Sequence, residues 1–199
     1  MPNSSPLRGR LVVVSGPSGA GKTSVMQRVF QTCRVPLVRS ISATTRPPRI
    51  DETDGVDYHF LSNEAFQLQR TRGDFLECFQ VFDHGQWYGT LACQVGTSLG
   101  QRKWVVLQID VQGGLDVMRR FPDAISIFLR PSSTAELERR LRHRGTESEQ
   151  AIQRRLDQAQ RELAVADRYQ YQVINDDMDQ TVREICDILT SQWEKSQND

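Results

Sequence analysis

The sequence predicts an α/β fold, in which helices flank a parallel β-sheet. Three mostly apolar runs, at residues 11–14, 104–109 and 125–129, are rich in Val, Ile and Leu. Strands buried on both faces of a parallel sheet have this composition. Helix-forming stretches separate the runs, and such alternation is typical of α/β domains. A chain of 199 residues fits one domain with small inserted subdomains.

The remaining regular elements follow in order along the chain. A helix is predicted over about residues 21–32, directly after the first strand and a glycine-rich turn. Helical stretches are also predicted at 113–120 and 133–160, on either side of the third apolar run. Residues 171–174 predict a fourth buried strand.

Two regions depart from simple alternation of strands and helices. Residues 40–90 are rich in Thr, Pro, Asp, Gly and aromatic residues, and their strands are short, which predicts an inserted subdomain. Ser133-x-x-Glu136 and Thr146-x-x-Glu149 are capping-box patterns. They predict that two separate helices begin within the second helical region.

The composition argues against several classes of protein. The formal net charge of +0 gives no sign of a nucleic-acid polymer or a membrane surface as partner. No C-x-x-C pair or histidine cluster accompanies the cysteines, which argues against a zinc site and for a reducing compartment. Residues 1–10 lack the apolar core of a signal peptide, and no apolar run approaches the ~20 residues of a membrane span. We expect a cytoplasmic monomer or small homo-oligomer.

The first predicted strand leads directly into a phosphate-binding motif. Glycines let consecutive backbone N–H groups curl around phosphate oxygens, and the next helix directs its positive end at them. The lysine of the motif neutralises the β and γ phosphates, and its last hydroxyl can bind Mg²⁺. The motif G-x-x-x-x-G-K-[ST] comprises Gly16, Pro17, Ser18, Gly19, Ala20, Gly21, Lys22 and Thr23.

The flanking elements separate this motif from a chance glycine-rich turn, because a buried strand precedes it and a helix follows it. The fold is therefore predicted to be of the P-loop NTPase type. The motif does not name the acceptor of the phosphoryl group, since GTPases, ATPases and small-molecule kinases share it.

A second phosphate-binding pattern lies downstream. Arg46 and Arg49 are three residues apart, and Pro47 and Pro48 stiffen the chain between them. Two rigidly placed guanidinium groups suit a phosphate monoester. Solvated arginines on a surface loop would give the same pattern, and the P-loop upstream favours the phosphate-binding interpretation.

With these motifs in place, the chain resembles guanylate kinase from Gly9 to about Asp179. The resemblance implies transfer of a phosphoryl group from ATP to GMP, and to dGMP, with Mg²⁺ as cofactor. It rests on ordered blocks: S-x-T-T-R-x-P-R at 42–49, G-x-D-Y-x-F at 55–60, F-L-E at 75–77, Y-G-T at 88–90, I-D-V-Q-G at 109–113, R-L-R-H-R-G-T-E at 140–147, R-R-L at 154–156 and V-I-N-D-D at 173–177.

The resemblance also implies a division of the chain. It predicts a single domain made of a core, a GMP-binding subdomain inserted into that core, and a helical lid. The domain covers residues 1–199, with a core at 9–41, 91–130 and 157–199, a GMP-binding subdomain at 42–90 and a lid at 131–156.

Family roles carry over to the acceptor side by position. Residues that match Glu77 and Thr90 recognise the guanine base. Guanine presents N1–H and N2–H₂ as adjacent donors, and one carboxylate can accept from both. Adenine lacks this donor pair, so Glu77 would be left poorly paired. The residues that match phosphate-binding positions are Ser42, Arg46, Arg49, Tyr58 and Tyr88.

The strand at 104–109 adds two further candidates. Asp110 follows the strand at the carboxyl edge of the sheet, where ligands of α/β folds bind. We expect it to contact the GMP side or, through water, Mg²⁺, for which Thr23 is the direct protein ligand. Gln108, two residues earlier, is expected to face the same acceptor cleft.

Catalysis is expected to use cations from several parts of the chain. Arg140 and Arg144 are i and i+4, so they share one helix face. Arg155 lies on the next helix, and all three match the phosphate-clamping arginines of the family. With Lys22 and Arg46 they would stabilise the charge of the transferring group.

The other charged residues of the lid fit surface pairing within the helix. Asn175 matches a position near the adenine of ATP.

Three features depart from the family pattern. Asp51 stands where the family usually has Gly, Gln108 replaces a common acid, and two extra residues lie between Glu77 and Tyr88.

Two alternative functions follow from the same sequence. One is a non-catalytic guanylate-kinase-like module that binds phosphorylated peptides, against which the intact P-loop argues. The other is a related kinase with a different acceptor, against which Glu77 argues.

Overall fold

The computed structural model describes residues 9–81, 85–143 and 148–198. The strands of the described residues are β1 (Leu11–Ser15), β2 (Leu37–Arg39), β3 (Ala43–Thr44), β4 (His59–Phe60), β5 (Phe75–Val81), β6 (Gln86–Leu91), β7 (Trp104–Gln108), β8 (Ile125–Arg130) and β9 (Tyr171–Ile174). The helices are α1 (Lys22–Thr32), α2 (Asn63–Arg72), α3 (Ala92–Gly100), α4 (Val111–Arg120), α5 (Thr134–His143), α6 (Glu149–Leu163) and α7 (Met178–Asn198), with a 3₁₀ turn at Ala166–Arg168.

The central sheet has five strands in the order β2-β7-β1-β8-β9. Every neighbouring pair in it is parallel. All five residues of β1 are buried, because β1 lies in the middle of the sheet with helices on both faces. The predicted α/β fold with a parallel sheet is confirmed.

Two apolar clusters cover the two faces of this sheet. On one face, α1 and α7 pack against alternate strand residues, with Met26 and Ile185 fully buried between them. On the other face, α3, α4 and the 3₁₀ turn bury Val95, Val117 and Tyr169. No helix of the described ranges is both long and apolar enough to cross a bilayer.

The structure corrects the predicted strands in two places. Residues 171–174 were expected to be buried, but β9 forms the edge of the sheet and Ile174 is 44% exposed. Strand β2 was not predicted, because it spans only three half-buried residues and ends on the polar Arg39. Its backbone pairing with β7 defines it as a strand.

A second sheet lies between β2 and α3 in the sequence. Its strands have the order β4-β3-β6-β5, and β5 and β6 form an antiparallel hairpin. Helix α2 packs on the sheet through Phe66, whose ring stacks on Phe75 at a centroid distance of 4.4 Å. Residues 43–91 therefore have a sheet and an aromatic core of their own, inserted into the α/β alternation.

Helices α5 and α6 pack together through a third apolar cluster, which includes Leu137 and Leu156. As predicted, the Ser133 hydroxyl caps α5, accepting from Glu136 N–H at 3.1 Å. The cap predicted for α6 was wrong, because α6 begins at Glu149 and Ser148 caps it. Thr146 lies outside the described residues.

Candidate active site

The P-loop joins the carboxyl end of β1 to the start of α1. Gly16 has φ +150, and a Cβ there would lie 1.9 Å from the Leu129 carbonyl oxygen, so only glycine fits. Gly21 precedes α1 in a left-handed conformation, with φ +88. The Lys22 ammonium group folds over the loop and donates to the carbonyl oxygens of Gly16 at 2.5 Å and Pro17 at 3.1 Å. The strand, turn and helix that the motif requires are all present.

The side chain of Asn175 supports the backbone of this loop. Its side-chain amide donates to the Ala20 carbonyl oxygen at 2.7 Å, and its side-chain oxygen accepts from the Thr181 hydroxyl at 3.3 Å. The residue is 5% exposed. Both polar atoms of the amide are therefore engaged with the protein, and Asn175 fixes the backbone of the loop.

Arg140 reaches the same region from α5. One guanidinium nitrogen donates to the Asn175 carbonyl oxygen at 2.6 Å, and another donates to Glu136 at 2.6 Å. The guanidinium group therefore lies beside the backbone of Asn175, whose side chain bonds to the P-loop. Arg155 lies on α6 and is half-buried. Arg144 lies outside the described residues.

A polar cavity of about 200 Å³ opens beside the P-loop. It brings together six of the predicted acceptor residues with Thr23 of the P-loop. Polar and charged side chains form its wall, with three arginines among them, which suits an anionic ligand. The lining residues are Thr23, Arg39, Ser40, Ser42, Arg46, Arg49, Glu52, Asp57, Tyr58, Tyr88 and Gln108.

The Arg46 guanidinium group lies in a fixed position within this cavity. It lies over the Tyr58 ring, 5.5 Å from the centroid, and pairs with Glu52 at 2.8 Å. Glu52 also accepts from the Arg49 backbone N–H at 2.8 Å. Burial alone would raise the pKa of Glu52, but the bonds from Arg49 and Arg46 outweigh it and lower that pKa.

A buried carboxyl group, that of Glu77, lies on β5 outside the cavity wall. Glu77 is 4% exposed, and one of its oxygens accepts from the Thr90 hydroxyl at 2.6 Å. Its other oxygen has no hydrogen-bond partner among the described residues. Burial raises the pKa of Glu77 to about 7, the Thr90 bond opposes this shift, and Asp110 and Asp116 add to it.

The structure places Gln108 in the cavity wall and Asp110 outside it. Strand β7 ends at Gln108, whose amide donates to the Thr23 hydroxyl at 3.1 Å. Asp110 does not share that strand face, because it is the residue before α4 and its side chain makes no capping bond. It lies outside the cavity wall, although its charge raises the pKa of both Glu77 and Tyr58.

Sequence reasoning missed four residues of the cavity wall, Arg39, Ser40, Glu52 and Asp57. Glu52 was detectable, since an acid three residues after Arg49 complements the two arginines in charge. Arg39 and Ser40 gave no local signal, because they lie at the end of a strand that was itself not predicted. Only the pairing of β2 with β7 brings them to the cleft.

Comparison with known proteins agrees with this arrangement. The family model described as guanylate kinase matches residues 8–192. A guanylate kinase of Rhodopirellula baltica is 53% identical over 185 residues, covering 92% of this chain and 88% of the relative. One from Thermosynechococcus vestitus is 43% identical over 183 residues, covering 92% and 94%.

Solved structures also resemble this fold. The crystal structure of guanylate kinase from Anaplasma phagocytophilum superposes with a TM-score of 0.76 at 28% identity, covering 94% of this chain and 87% of that one. A gluconokinase from Sinorhizobium meliloti, with a TM-score of 0.53 and 19% identity, shares the fold. With a family model that matches nearly the whole length and relatives at 53% and 43% identity, the chain belongs to the guanylate kinase family.

Proposed function

We propose that this chain transfers the γ-phosphoryl group of ATP to GMP, and also to dGMP, giving ADP and the nucleoside diphosphate. The observation that carries the proposal is the buried Glu77 carboxyl group with one unpartnered oxygen, in a chain that also has a cavity lined by three arginines. A buried polar atom without a partner marks a place for a ligand. Guanine supplies the donors that a carboxylate accepts.

On the acceptor side, the GMP phosphate binds the hydroxyl of Ser42, the two guanidinium groups of Arg46 and Arg49, and the tyrosines Tyr58 and Tyr88. The ionised Glu77 accepts from guanine N1–H and N2–H₂, while the Thr90 hydroxyl holds the carboxylate in place. A base without this donor pair would leave the buried carboxylate unpaired, which is the strongest form of discrimination available to a polar site.

On the donor side, the backbone N–H groups of the P-loop hold the ATP phosphates at the start of α1. Lys22 is already placed over the loop and exchanges its carbonyl partners for phosphate oxygens when ATP binds. Asn175 keeps the loop in shape for this.

Transfer itself requires a direct, in-line displacement. An oxygen of the GMP phosphate attacks the γ-phosphorus, the bond to the β-phosphate oxygen breaks, and ADP leaves with that electron pair. Charge accumulates on the equatorial oxygens, and Lys22, Arg140, Arg144 and Arg155 stabilise it. Excluding water from the closed site prevents hydrolysis of ATP.

The residues present also fit Mg²⁺ as cofactor. The described residues contain no group of three or more His, Cys, Asp or Glu side chains that could hold a metal ion. Mg²⁺ usually binds substrate phosphates and water with one or two protein ligands, so no such group is needed. The Thr23 hydroxyl accepts one bond from Gln108 and keeps a free lone pair for the ion. When bound, Mg²⁺ neutralises charge on the β and γ phosphates.

The alternative of a phosphopeptide-binding module is not favoured, since the curated relatives at high identity are named guanylate kinase. Turnover decides between the two functions, because only the kinase consumes ATP in the presence of GMP.

A coupled assay of ADP release tests the proposal with GMP, dGMP, AMP, CMP and UMP as acceptors. We expect turnover with GMP and dGMP, and little with the other three. Lys22→Ala should lose most activity while keeping its melting temperature, and Lys103→Ala is the matched control at an exposed position. Turnover of Lys22→Ala at the wild-type rate, or equal rates with AMP and GMP, would contradict the proposal.

A further inference from the structure

Arg39 lies in the wall of the acceptor cavity without an assigned role. We propose that Arg39 is a further acceptor-binding residue, which recognises the dianionic form of the nucleoside monophosphate from the core side of the cleft. The proposal rests on the proposed function, because it concerns the same acceptor.

The position of Arg39 follows from the central sheet. It is the last residue of β2 and is in register with Val106 of β7. From there its guanidinium group donates to the Asp57 carbonyl oxygen at 3.2 Å, which places it beside Tyr58. Arg46 and Arg49 reach the cavity from the inserted segment instead. A phosphate held by all three arginines would therefore be bound from both sides of the cleft.

The charge of the cavity depends on this residue. Three arginines and two carboxylates line it, so the formal charge of the wall is positive by one unit. Arg46 is already paired with Glu52 at 2.8 Å. Arg39, in contrast, has no carboxylate oxygen within 4.0 Å in the part of the chain that the structure describes. Its hydrogen bond to Asp57 is to the backbone carbonyl oxygen and not to the side chain. Without Arg39 the lining would be neutral.

A phosphate monoester near neutral pH carries a charge of about −1.5 to −2, with a second pKa of about 6. A neutral wall would attract it poorly, and a guanidinium fork can bind two of its oxygens at once.

The neighbouring Ser40 gives an independent indication of a ligand at this position. Its side-chain oxygen is buried and has no hydrogen-bond partner among the described residues, and the residue is 9% exposed. Ser40 lines the same cavity as Arg39. Buried hydroxyls without partners are uncommon in folded proteins. A phosphate oxygen or a water molecule bound with it would satisfy this hydroxyl next to the guanidinium group.

Calorimetric binding of GMP in the absence of ATP tests the proposal, with guanosine as the ligand that lacks the phosphate. We expect Arg39→Gln to raise the Kd for GMP by about tenfold to a hundredfold, the usual effect of losing a charged hydrogen bond. The Kd for guanosine should stay unchanged. Arg39→Lys, which keeps the charge without the planar guanidinium group, should give a Kd between those of wild type and Arg39→Gln. Arg72→Gln is the matched control, because Arg72 is an exposed arginine at the end of α2.

A pH series separates recognition of the dianion from a structural role. The ratio of the GMP Kd of Arg39→Gln to that of wild type should shrink as the pH falls below about 6, where the phosphate becomes a monoanion. Equal Kd values for wild type and Arg39→Gln would overturn the proposal, as would equal losses for GMP and guanosine. If wild type itself binds GMP no better than AMP, the proposed function fails instead.

Discussion

The carboxyl group of Glu77 titrates near neutral pH in the unliganded protein, because burial raises its pKa to about 7. In the proposed complex guanine offers only donors to this carboxyl group, so binding requires the ionised form. Between about pH 6 and pH 8 the ionised fraction of such a group rises about tenfold. The KM for GMP should therefore fall over this interval as the pH rises.

Glu77→Gln is the control for this pH dependence, because its amide does not ionise. We expect a higher KM for GMP in the variant and a flatter profile, in which only the phosphate of GMP titrates. Steady-state kinetics at several pH values measures both proteins. An equally steep profile in the variant would show that another group is responsible.

The same titration changes the free energy of unfolding, and the direction of this change can be measured without ligand. The folded protein holds the proton of Glu77 more tightly than the unfolded chain, whose pKa is near the ordinary value of 4.5. Its stabilising contribution is complete below that value and is lost as the pH rises to about 7. The melting temperature of wild type should thus fall relative to that of Glu77→Gln over this range.

At the scale of single elements, helix α4 packs closely against Glu77 through Gly113. A Cβ at this position would lie 2.7 Å from the unpartnered Glu77 oxygen and 3.1 Å from Phe79. Alanine normally stabilises a helix by about 0.5–1 kcal/mol over glycine. Here the steric conflict should dominate, so we expect Gly113→Ala to lower the melting temperature and raise the KM for GMP.

Gly96 in α3 is the matched control, because a Cβ there would have nothing within 4 Å. Gly96→Ala should raise the free energy of unfolding by up to about 1 kcal/mol and leave the KM for GMP unchanged. Thermal denaturation and kinetics on both variants test the pair. A Gly113→Ala protein with unaltered stability and KM would mean that α4 does not constrain Glu77.

At the scale of the whole molecule, the chain crosses between the two sheets in two short segments. Residues 40–42 connect β2 to β3, and α3 begins at Ala92 directly after β6 ends at Leu91. The acceptor phosphate would contact groups on both sides of this junction. We therefore expect the predicted GMP-binding subdomain and the helical lid to close on the core when both substrates are bound.

Small-angle X-ray scattering measures this closure with an analogue that joins adenosine and guanosine through phosphates. The radius of gyration of a chain of this length is about 16 Å, and we expect a decrease on the order of 1 Å. Guanosine alone is the control, since it lacks the phosphates that bridge the parts. An unchanged radius of gyration with the analogue would contradict domain closure.

Much of the fold was predictable because its signals are local. The apolar run of β1, the glycines of the P-loop and the Ser133 cap each act on residues within a few positions of themselves. Such signals specify strands, turns and helix starts before any tertiary contact forms. The weaker predictions, such as the burial of 171–174, concerned the position of an element in the sheet, which local patterns do not contain.

The sequence by itself therefore determined the α/β class, the P-loop and the family, together with the residue types expected at the acceptor site. Only the tertiary structure decided which of these groups meet. Gln108 bonds to Thr23 across 85 positions, and Asn175 bonds to the P-loop across 155. Arg39 reaches the cleft only because β2 pairs with β7. Contacts of this kind depend on the packing of distant strands, and that packing also buries Glu77 and moves its pKa to about 7.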